Sequence, residues 1–298
     1  MKYLDKVIIS SVFVVLATAS LPAQGTDSIL YKQVDSDSLY MLIDYPMAYD
    51  ASKSYPAMIF FFGGGWKGGN TGQFEPHAKY FASRGMICFR VDYRVKSRQG
   101  TSPFESLKDA KSAIRYIRAH AMELGVNQDK IIASGGSAGG HLAAATAVIQ
   151  GFNETGEDLS VSCIPDALVL FNPVFDNGPG GYGYDRIGEA YKEFSPLHNI
   201  SEGMPPAVVF LGTEDDLIPV ETARYFETVM EKVGSRCDLF LYEGEKHGFF
   251  NYRNYEIYKD TRDKADEFLI STGFLRENKN YRMGYPLKNP AIAVDGMQ

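Results

Sequence analysis

The sequence predicts one α/β domain with a mostly parallel central sheet covered by helices on both faces. Segments with strand-like and helix-like patterns alternate along nearly the whole chain, and this order implies parallel strands joined by right-handed crossovers. Several strand segments, such as residues 57–62, are apolar without alternation, which is typical of strands buried on both faces. The chain has 298 residues, of which 45% are hydrophobic, and this is enough for one large core.

Strands are predicted where apolar residues run together or alternate before a turn signal, at residues 39–45, 57–62, 85–93, 130–133, 166–171, 207–211 and 237–242. Helices are predicted where apolar residues recur at helical spacing, at residues 75–83, 103–124, 141–148, 220–233 and 254–270. In the longest of these, Pro103 suits the first turn and Gly125 supplies the stop. Two stretches interrupt the pattern: a glycine-rich loop at 63–69, and an insertion of Gly, Pro, Asp and Tyr at 176–193.

Residues 1–23 stand apart from this pattern. Two lysines precede an apolar run at residues 7–19, and cleavage is expected after Ala19 or Ala23 because small residues surround them. This arrangement is typical of a secretory signal peptide, since the run is too short to span a membrane comfortably. An uncleaved anchor is the alternative.

The expected domain limits indicate where the protein is located, and its charge indicates which partners it can bind. We expect residues 24–275 to be an exported domain, periplasmic or extracellular and without stable membrane insertion, and the polar residues 276–298 to be a tail. The formal charge of −7 and the pI near 5.3 argue against a nucleic-acid partner, because such proteins need a basic face.

Three cysteines cannot all pair within one chain. Cys88 lies in an apolar run and is expected to be a buried, unreactive thiol. A bridge between Cys163 and Cys237 stays open as an alternative in an oxidising compartment. No cysteine and histidine cluster has metal-site spacing, so we expect neither a metal nor another cofactor.

A glycine-flanked serine between a strand and a helix is the centre of the predicted site. The segment reads Gly135-x-Ser137-x-Gly139 and lies between the apolar residues 130–133 and an alanine-rich helix. This order is that of a nucleophile elbow, a strained turn in which only small neighbours let strand and helix approach closely. A tight helix-packing turn is the alternative, but two downstream partners in the right order favour a nucleophile.

A serine hydroxyl needs a base within hydrogen-bond reach, and the chain offers five histidines. His247 is preferred because it follows the last predicted strand, at the carboxyl edge of the sheet where active-site loops gather. His198 is the rival. His77 and His120 lie on predicted helices, where a solvated face is the ordinary explanation, and His141 is expected to face away from the serine.

The carboxylate that orients the base should follow another strand, between serine and histidine in the chain. Asp215 is preferred because it directly follows the strand predicted at 207–211. Asp216 and Glu214 are alternates that would otherwise be solvated or cap the next helix. The amide of Ala138 and the amides of the glycine-rich loop are expected to stabilise an oxyanion.

At these motifs the chain resembles the α/β-hydrolases of the hormone-sensitive-lipase-like branch, and it is most similar to bacterial secreted esterases of the bifunctional feruloyl/acetyl-xylan type. The matching segments are Phe62-Gly-Gly-Gly-Trp66, Val91-Asp-Tyr-Arg94, residues 129–141, Ser195-Pro-Leu197, Gly212-Thr-Glu-Asp215 and His247-Gly-Phe249. The resemblance implies an α/β-hydrolase fold with Ser137 as the nucleophile, Asp215 as the acid and His247 as the base.

The resemblance also implies that Gly64 and Gly65 join Ala138 in the oxyanion hole. One residue departs from the pattern of the branch, whose loop usually begins with histidine where this chain has Phe62. The backbone amides remain, but a side chain that would brace the loop is lost.

The expected substrate is an ester-decorated plant cell-wall polysaccharide or a small ester, from which acetyl or feruloyl groups are removed through an acyl-enzyme. Trp66, Tyr182 and Tyr184 are candidates for stacking on a sugar or an aromatic acyl group, with core packing the equal alternative for Trp66. Two other functions stay open: an amidase or peptidase, since a triad alone does not choose between ester and amide, and a non-catalytic glycan-binding relative.

Overall fold

The computed structural model describes residues 27–277, so the expected signal peptide and nearly all of the expected tail lie outside the described residues. The strands are β1 (Asp27–Val34), β2 (Asp37–Asp44), β3 (Tyr55–Phe61), β4 (Ile87–Val91), β5 (Val126–Gly136), β6 (Ala167–Phe171), β7 (Ala207–Gly212) and β8 (Cys237–Tyr242). The α-helices are α1 (Glu75–Ser83), α2 (Lys96–Gln99), α3 (Pro103–Ala119), α4 (Ala138–Val148), α5 (Tyr184–Ile187), α6 (Tyr191–Phe194), α7 (Val220–Lys232) and α8 (Tyr255–Ser271). Short 3₁₀ helices lie at Thr71–Phe74, Gly188–Ala190 and Pro196–His198.

The described strands form one sheet in the order β1-β2-β4-β3-β5-β6-β7-β8. The six strands from β3 to β8 run parallel to one another. The first two form an antiparallel hairpin at one edge, with β2 antiparallel to β4. The predicted α/β class with a mostly parallel sheet is therefore confirmed.

Two apolar cores lie on opposite faces of this sheet. Side chains of β3 alternate between them, since Ile59 and Phe61 join one core while Met58 and Phe60 join the other. Helices α3, α4 and α7 cover the first face, and α1 and α8 cover the second. Burial on both faces explains why the central strands are apolar without alternation.

The structure differs from the sequence-based elements in several places. Strand β1 was not predicted, because it lies at the sheet edge and most of its side chains are at least partly exposed. The helix predicted at 103–124 ends at Ala119, since His120 leaves helical geometry and the chain turns back toward β5. The insertion at 176–193 has structure of its own, since it holds α5, the 3₁₀ helix at Gly188–Ala190 and most of α6.

The three cysteines are buried free thiols, so Cys163 and Cys237 do not form the bridge that the sequence left open. Burial raises the pKa of Cys88 well above its ordinary value, as expected for an unreactive thiol.

Between residues 27 and 277, no helix has both the length and the apolar character needed to cross a membrane. No set of three or more His, Cys, Asp and Glu side chains in this range is arranged to hold a metal ion.

His77 is fully buried, whereas the sequence suggested a solvated helix face. Its ring packs among aromatic side chains that include Phe74, Phe171 and Tyr258. Within the described part of the chain, neither ring nitrogen has a hydrogen-bond partner. Burial, with a smaller effect from the charge of Arg262, lowers the pKa of His77 to about 3. The imidazole is therefore neutral in the folded protein.

We expect the buried neutral His77 to make stability fall as the pH drops below the ordinary imidazole pKa of 6.5. In the unfolded chain His77 takes up a proton near pH 6.5, whereas in the folded chain it does so only near pH 3. Between these two pH values, acid therefore favours the unfolded state. The cost is about 2 kcal/mol at pH 5. Denaturant unfolding of the wild type and His77→Leu at pH 7 and pH 5 measures it. The expectation fails if both proteins lose the same free energy of unfolding.

Candidate active site

Ser137 occupies a strained turn between β5 and α4. Its φ and ψ are 54° and −120°, a backbone region that residues with a side chain rarely adopt. Its amide donates to the carbonyl of Phe171 at 3.0 Å, which fixes the turn against β6. Because the residue is still 9% exposed, its hydroxyl is accessible at the carboxyl edge of the sheet.

The glycines on either side of Ser137 are required by close backbone contacts. A Cβ on Gly139 would lie 2.0 Å from the carbonyl oxygen of Phe61, and one on Gly135 would lie 2.3 Å from that of Gly139. Neither approach leaves room for a side chain. The glycines therefore let α4 begin directly behind Ser137, with its first-turn amides at the same edge of the sheet.

The structure brings His247 and Asp215 into line with Ser137. Nε2 of His247 lies 2.9 Å from Oγ of Ser137, and Nδ1 lies 2.8 Å from Oδ2 of Asp215. The buried Asp215 carboxylate also accepts at Oδ1 from the amides of Leu217 and Ile218, both at 2.9 Å. These two amides hold Oδ2 toward the imidazole. The arrangement can move a proton from the hydroxyl to His247 while the carboxylate holds the ring in the required tautomer.

The rival residues lie elsewhere. His198 packs edge-on against Tyr191 in the segment after the insertion. His141 contacts the carbonyl of Phe194 at 3.0 Å through Nε2 and faces away from the serine. The side chains of Asp216 and Glu214 are exposed. Among these candidates, only His247 and Asp215 form the chain of hydrogen bonds that starts at the hydroxyl of Ser137.

Asn172 supports the imidazole from the end of β6. Its Nδ2 lies 3.4 Å from Nε2 of His247, and its Oδ1 accepts from the amide of Gly248 at 3.1 Å. Its φ of 32° is unusual for a residue with a side chain. Asn172 thus fixes the start of the loop that follows His247.

The amides expected to form the oxyanion hole are free to bind a ligand. Within residues 27–277, the amides of Gly64, Gly65 and Ala138 donate no hydrogen bond to the protein. The amide of Gly63 is taken, because it donates to Oε1 of Gln73 at 2.6 Å. Two free amides from the glycine-rich loop and one from the start of α4 are therefore available beside the serine.

Other residues supply the bracing that the missing histidine would have given this loop. The hydroxyl of Tyr93 donates to the carbonyl of Phe62 at 2.6 Å, and the two rings stack with centroids 4.1 Å apart. From the insertion, Arg186 donates to the carbonyl of Gly65 and lies over the ring of Trp66 at 5.2 Å. The loop is therefore held from both sides.

A chain of amide hydrogen bonds joins the glycine-rich loop to the loop of His247. Oε1 of Gln73 must face the N–H of Gly63, so its Nε2 is left to donate to Oδ1 of Asn251 at 3.0 Å. Nδ2 of Asn251 then donates to the carbonyl of Gly248 at 2.8 Å. Both amide orientations follow from the first bond, and the two sides of the site are positioned by one connected network.

We expect Gln73→Ala to lower kcat by about 10- to 100-fold with little change in KM, because it releases the glycine-rich loop from the loop of His247. Steady-state kinetics on a p-nitrophenyl ester measure the effect. Asn70→Ala is the matched control, since Asn70 caps the same 3₁₀ helix but bonds only the local amide of Gly72. Equal losses in the two variants would contradict a positioning role for Gln73.

A cavity of about 220 Å³ opens at Ser137 and His247. Its wall is formed by residues of the glycine-rich loop, the insertion and the two loops that carry the acid and the base, including Gly64, Gly65, Gln73, Asn172, Tyr182, Leu217, Phe250 and Asn251. Tyr182 lies close against the loop, since a Cβ on Gly65 would be 2.6 Å from its hydroxyl. The expected place of Tyr182 beside the substrate therefore agrees with the geometry.

The other two aromatic candidates do not line this cavity. Trp66 is 1% exposed and packs against His141 and Phe194, so of its two alternatives the structure favours core packing over stacking on substrate. Its backbone is left-handed, with a φ of 56°, and the residue does not line the cavity. The hydroxyl of Tyr184 donates to Glu189 at 2.7 Å, and the expectation of a substrate contact is corrected to this local role.

Sequence reasoning missed Gln73, Asn172, Leu217 and Asn251 in the cavity wall. Asn172 follows a predicted strand directly and Leu217 follows the preferred acid by two positions, so the rule that strand ends meet at one edge could have found both. Gln73 and Asn251 meet across 178 positions of the chain. No local pattern signals that contact.

Two family models match adjacent parts of the chain: the BD-FAE model matches residues 43–166, and the Dienelactone hydrolase family model matches residues 177–277.

Solved structures of Thermogutta terrifontis esterase 2 are similar over most of the chain. The form phosphorylated by paraoxon is 43% identical, with a TM-score of 0.82, and the match covers 86% of this chain and 98% of that one. For the propionate-bound form the values are 42% identity, a TM-score of 0.81, and coverage of 85% and 97%.

The curated relatives are longer proteins. A probable isoprenylcysteine alpha-carbonyl methylesterase of Arabidopsis thaliana is 30% identical, over 64% of this chain and 45% of that protein. An acetylxylan esterase of Xylanibacter ruminicola is 26% identical, over 60% of this chain and 38% of that protein. The chain spans about half or less of the length of the curated relatives it matches.

Proposed function

This chain belongs to the esterases of the α/β-hydrolase superfamily, and from that premise we propose that it is a serine carboxylesterase that acts through an acyl-enzyme. The observation that carries the proposal is the run of two short contacts, 2.9 Å from Ser137 to His247 and 2.8 Å from His247 to Asp215. This chain of hydrogen bonds joins a nucleophile, Ser137, to a base, His247, and to an acid that orients the base, Asp215.

In the acylation step, Oγ of Ser137 attacks the ester carbonyl carbon while Nε2 of His247 takes the hydroxyl proton. The carbonyl oxygen gains the negative charge and accepts hydrogen bonds from the free amides of Gly64, Gly65 and Ala138. Loss of one such donor typically raises the barrier by about 3 kcal/mol. His247 then returns the proton to the leaving alcohol oxygen, and the carbon–oxygen bond of the ester breaks.

In the deacylation step, His247 takes a proton from water, and the resulting hydroxide attacks the acyl-serine carbonyl. The same amides hold the second oxyanion, and the proton passes to Oγ of Ser137 as the acid leaves. Asp215 stays ionised throughout and stabilises the imidazolium that forms in each half-reaction. The alcohol therefore leaves before the acid, which is a ping-pong order.

For the substrate, we propose acetyl or feruloyl esters on plant cell-wall polysaccharides, with small esters of short acids also accepted. The match to the BD-FAE model and to an acetylxylan esterase supports this choice. The propionate-bound and butyrate-bound forms of the T. terrifontis enzyme support a short acyl group. A cavity of about 220 Å³ suits such a group better than a long acyl chain.

The proposed substrate is extracellular, and the pattern of residues 1–23 supports export of the protein to reach it. We propose a periplasmic or extracellular location after cleavage near Ala19 or Ala23. N-terminal sequencing of the protein recovered from the medium or periplasm of an expressing bacterium tests this directly.

Release of acetate and of ferulate from acetylated xylan, feruloylated arabinoxylan and pectin tests the substrate proposal. We expect acetate or ferulate from at least one polymer, together with hydrolysis of p-nitrophenyl acetate. Hydrolysis of the small ester with no release from any polymer would overturn the polysaccharide substrate and keep the carboxylesterase. No turnover of any short ester would overturn both.

A further inference from the structure

A second cavity of about 50 Å³ lies beside the first, on the other side of Tyr182 and Leu217. These two residues line both cavities, so the two cavities are neighbours. The amide of Tyr182 donates to the carbonyl of Asp176 at 3.1 Å, and its carbonyl accepts from Nδ2 of Asn177 at 2.8 Å. Tyr182, which both cavities share, is thus held by the segment that lines the second cavity.

Two side chains of this second cavity, those of Asp176 and Thr222, offer hydrogen-bond acceptors. Asp176 lines it and uses Oδ1 to accept from the amide of Gly178 at 2.8 Å. Within residues 27–277, Oδ2 of Asp176 accepts no hydrogen bond from the protein, and the carboxylate has no ion-pair partner. Thr222 lines the cavity as well, and its hydroxyl donates to the carbonyl of Pro219 at 2.7 Å, which leaves its lone pairs to accept.

The apolar part of the lining comes from Phe175, Leu217, Ile218 and Pro219, and Tyr182, Gly180 and Gly181 complete it. A volume near 50 Å³ holds a few groups the size of water, so it admits the edge of a ring and not a whole polymer. An alkyl chain placed there would take water from the Asp176 carboxylate without replacing its hydrogen bonds, at a cost in free energy. A group with a hydroxyl donor and an apolar face meets both parts of the lining.

We propose that the second cavity is a subsite for a hydroxyl-bearing part of the ester substrate, whose O–H donates to Oδ2 of Asp176. The inference rests on the proposed carboxylesterase activity and adds a residue that selects the substrate. The hydroxyl can come from two sources, a sugar ring in the alcohol half of the ester or the phenol of a feruloyl group in the acyl half. Both present the same donor next to an apolar surface.

Two matched pairs of esters distinguish these sources. The first pair is a monoacetylated methyl xyloside with free ring hydroxyls and the same ester with those hydroxyls methylated. The second pair is methyl ferulate and its phenol methyl ether. We expect the wild-type kcat/KM to be about tenfold or more higher for the free-hydroxyl member of one pair, which identifies the source, because a hydrogen bond to a charged group is strong.

Asp176→Asn is the decisive variant, because its side-chain oxygen still accepts from Gly178 while the nitrogen in place of Oδ2 cannot accept. It should lose the preference for the free-hydroxyl ester and keep the wild-type rate on p-nitrophenyl acetate, which has no hydroxyl. Thr222→Val should weaken the same preference. Glu221→Gln is the control, since it makes the same change of charge on an exposed residue beside the cavity.

The results that overturn the subsite are distinct from those that overturn the esterase. The subsite is wrong if the wild type shows no preference within either pair, if the preference survives in Asp176→Asn, or if that variant loses activity equally on every ester. Failure of the wild type on p-nitrophenyl acetate as well would instead remove the proposed function on which the subsite rests.

Discussion

Replacing Ser137 by alanine should lower kcat on p-nitrophenyl acetate by roughly 10⁴-fold or more. The loss is large because no other hydroxyl takes its place: the imidazole of His247 lies 2.9 Å from this Oγ, and the strained turn presents only this side chain. Folding should be unaffected, since alanine removes one oxygen from a residue whose backbone bond to Phe171 remains. Steady-state rates together with the melting temperature measure the two effects separately.

Paraoxon gives an independent readout of the same assignment. The T. terrifontis esterase 2 is phosphorylated by this compound, and a serine activated by a neighbouring base is the kind of group that it modifies. We expect paraoxon to inactivate the wild type and to add one diethylphosphoryl group to the peptide that contains Ser137. Labelling of another residue, or labelling of Ser137→Ala at the wild-type rate, would contradict Ser137 as the nucleophile.

The parts of the fold that follow from local patterns could be predicted from the sequence. Glu75–Ser83 and Cys237–Tyr242 have the predicted ends, because apolar spacing and turn residues decide them locally. The meeting of Ser137, Asp215 and His247 followed from one topological rule, since each comes after a parallel strand and such strand ends share an edge. A local signal combined with that rule was enough to place three residues that are far apart in the chain.

The residues that the sequence misplaced or left undecided are those decided by contacts between distant segments. His77 has the sequence setting of a surface helix, yet Phe171 and Tyr258 close over it from elsewhere in the chain. Trp66 lies next to the oxyanion loop, but packing with His141 and with Arg186 from the insertion draws it into the core. Because sequence spacing does not determine such contacts, the neighbouring residues alone neither reveal the burial of His77 nor decide between the two alternatives for Trp66.

Asp215→Asn should lower kcat by roughly 10⁴-fold while leaving the fold intact. The reason is that two backbone amides bind Oδ1, the carboxylate oxygen that does not face His247. The N–H groups of Leu217 and Ile218 both donate to Oδ1 at 2.9 Å, so the asparagine must keep its oxygen on that side. Its NH₂ group then faces Nδ1 of His247, where it can only donate. The imidazole is forced into the tautomer with its proton on Nε2, which leaves no lone pair to accept the proton of Ser137.

Asp216→Asn is the matched control for this prediction, because it makes the same change at the adjacent, exposed position. We expect it to retain nearly the wild-type kcat on p-nitrophenyl acetate. If Asp216→Asn loses activity while Asp215→Asn retains it, the acid has been assigned to the wrong residue of the pair. If both retain activity, His247 is oriented without a carboxylate. A large loss confined to Asp215→Asn, with an unchanged melting temperature, would mean that the tautomer of one imidazole controls the rate of this enzyme.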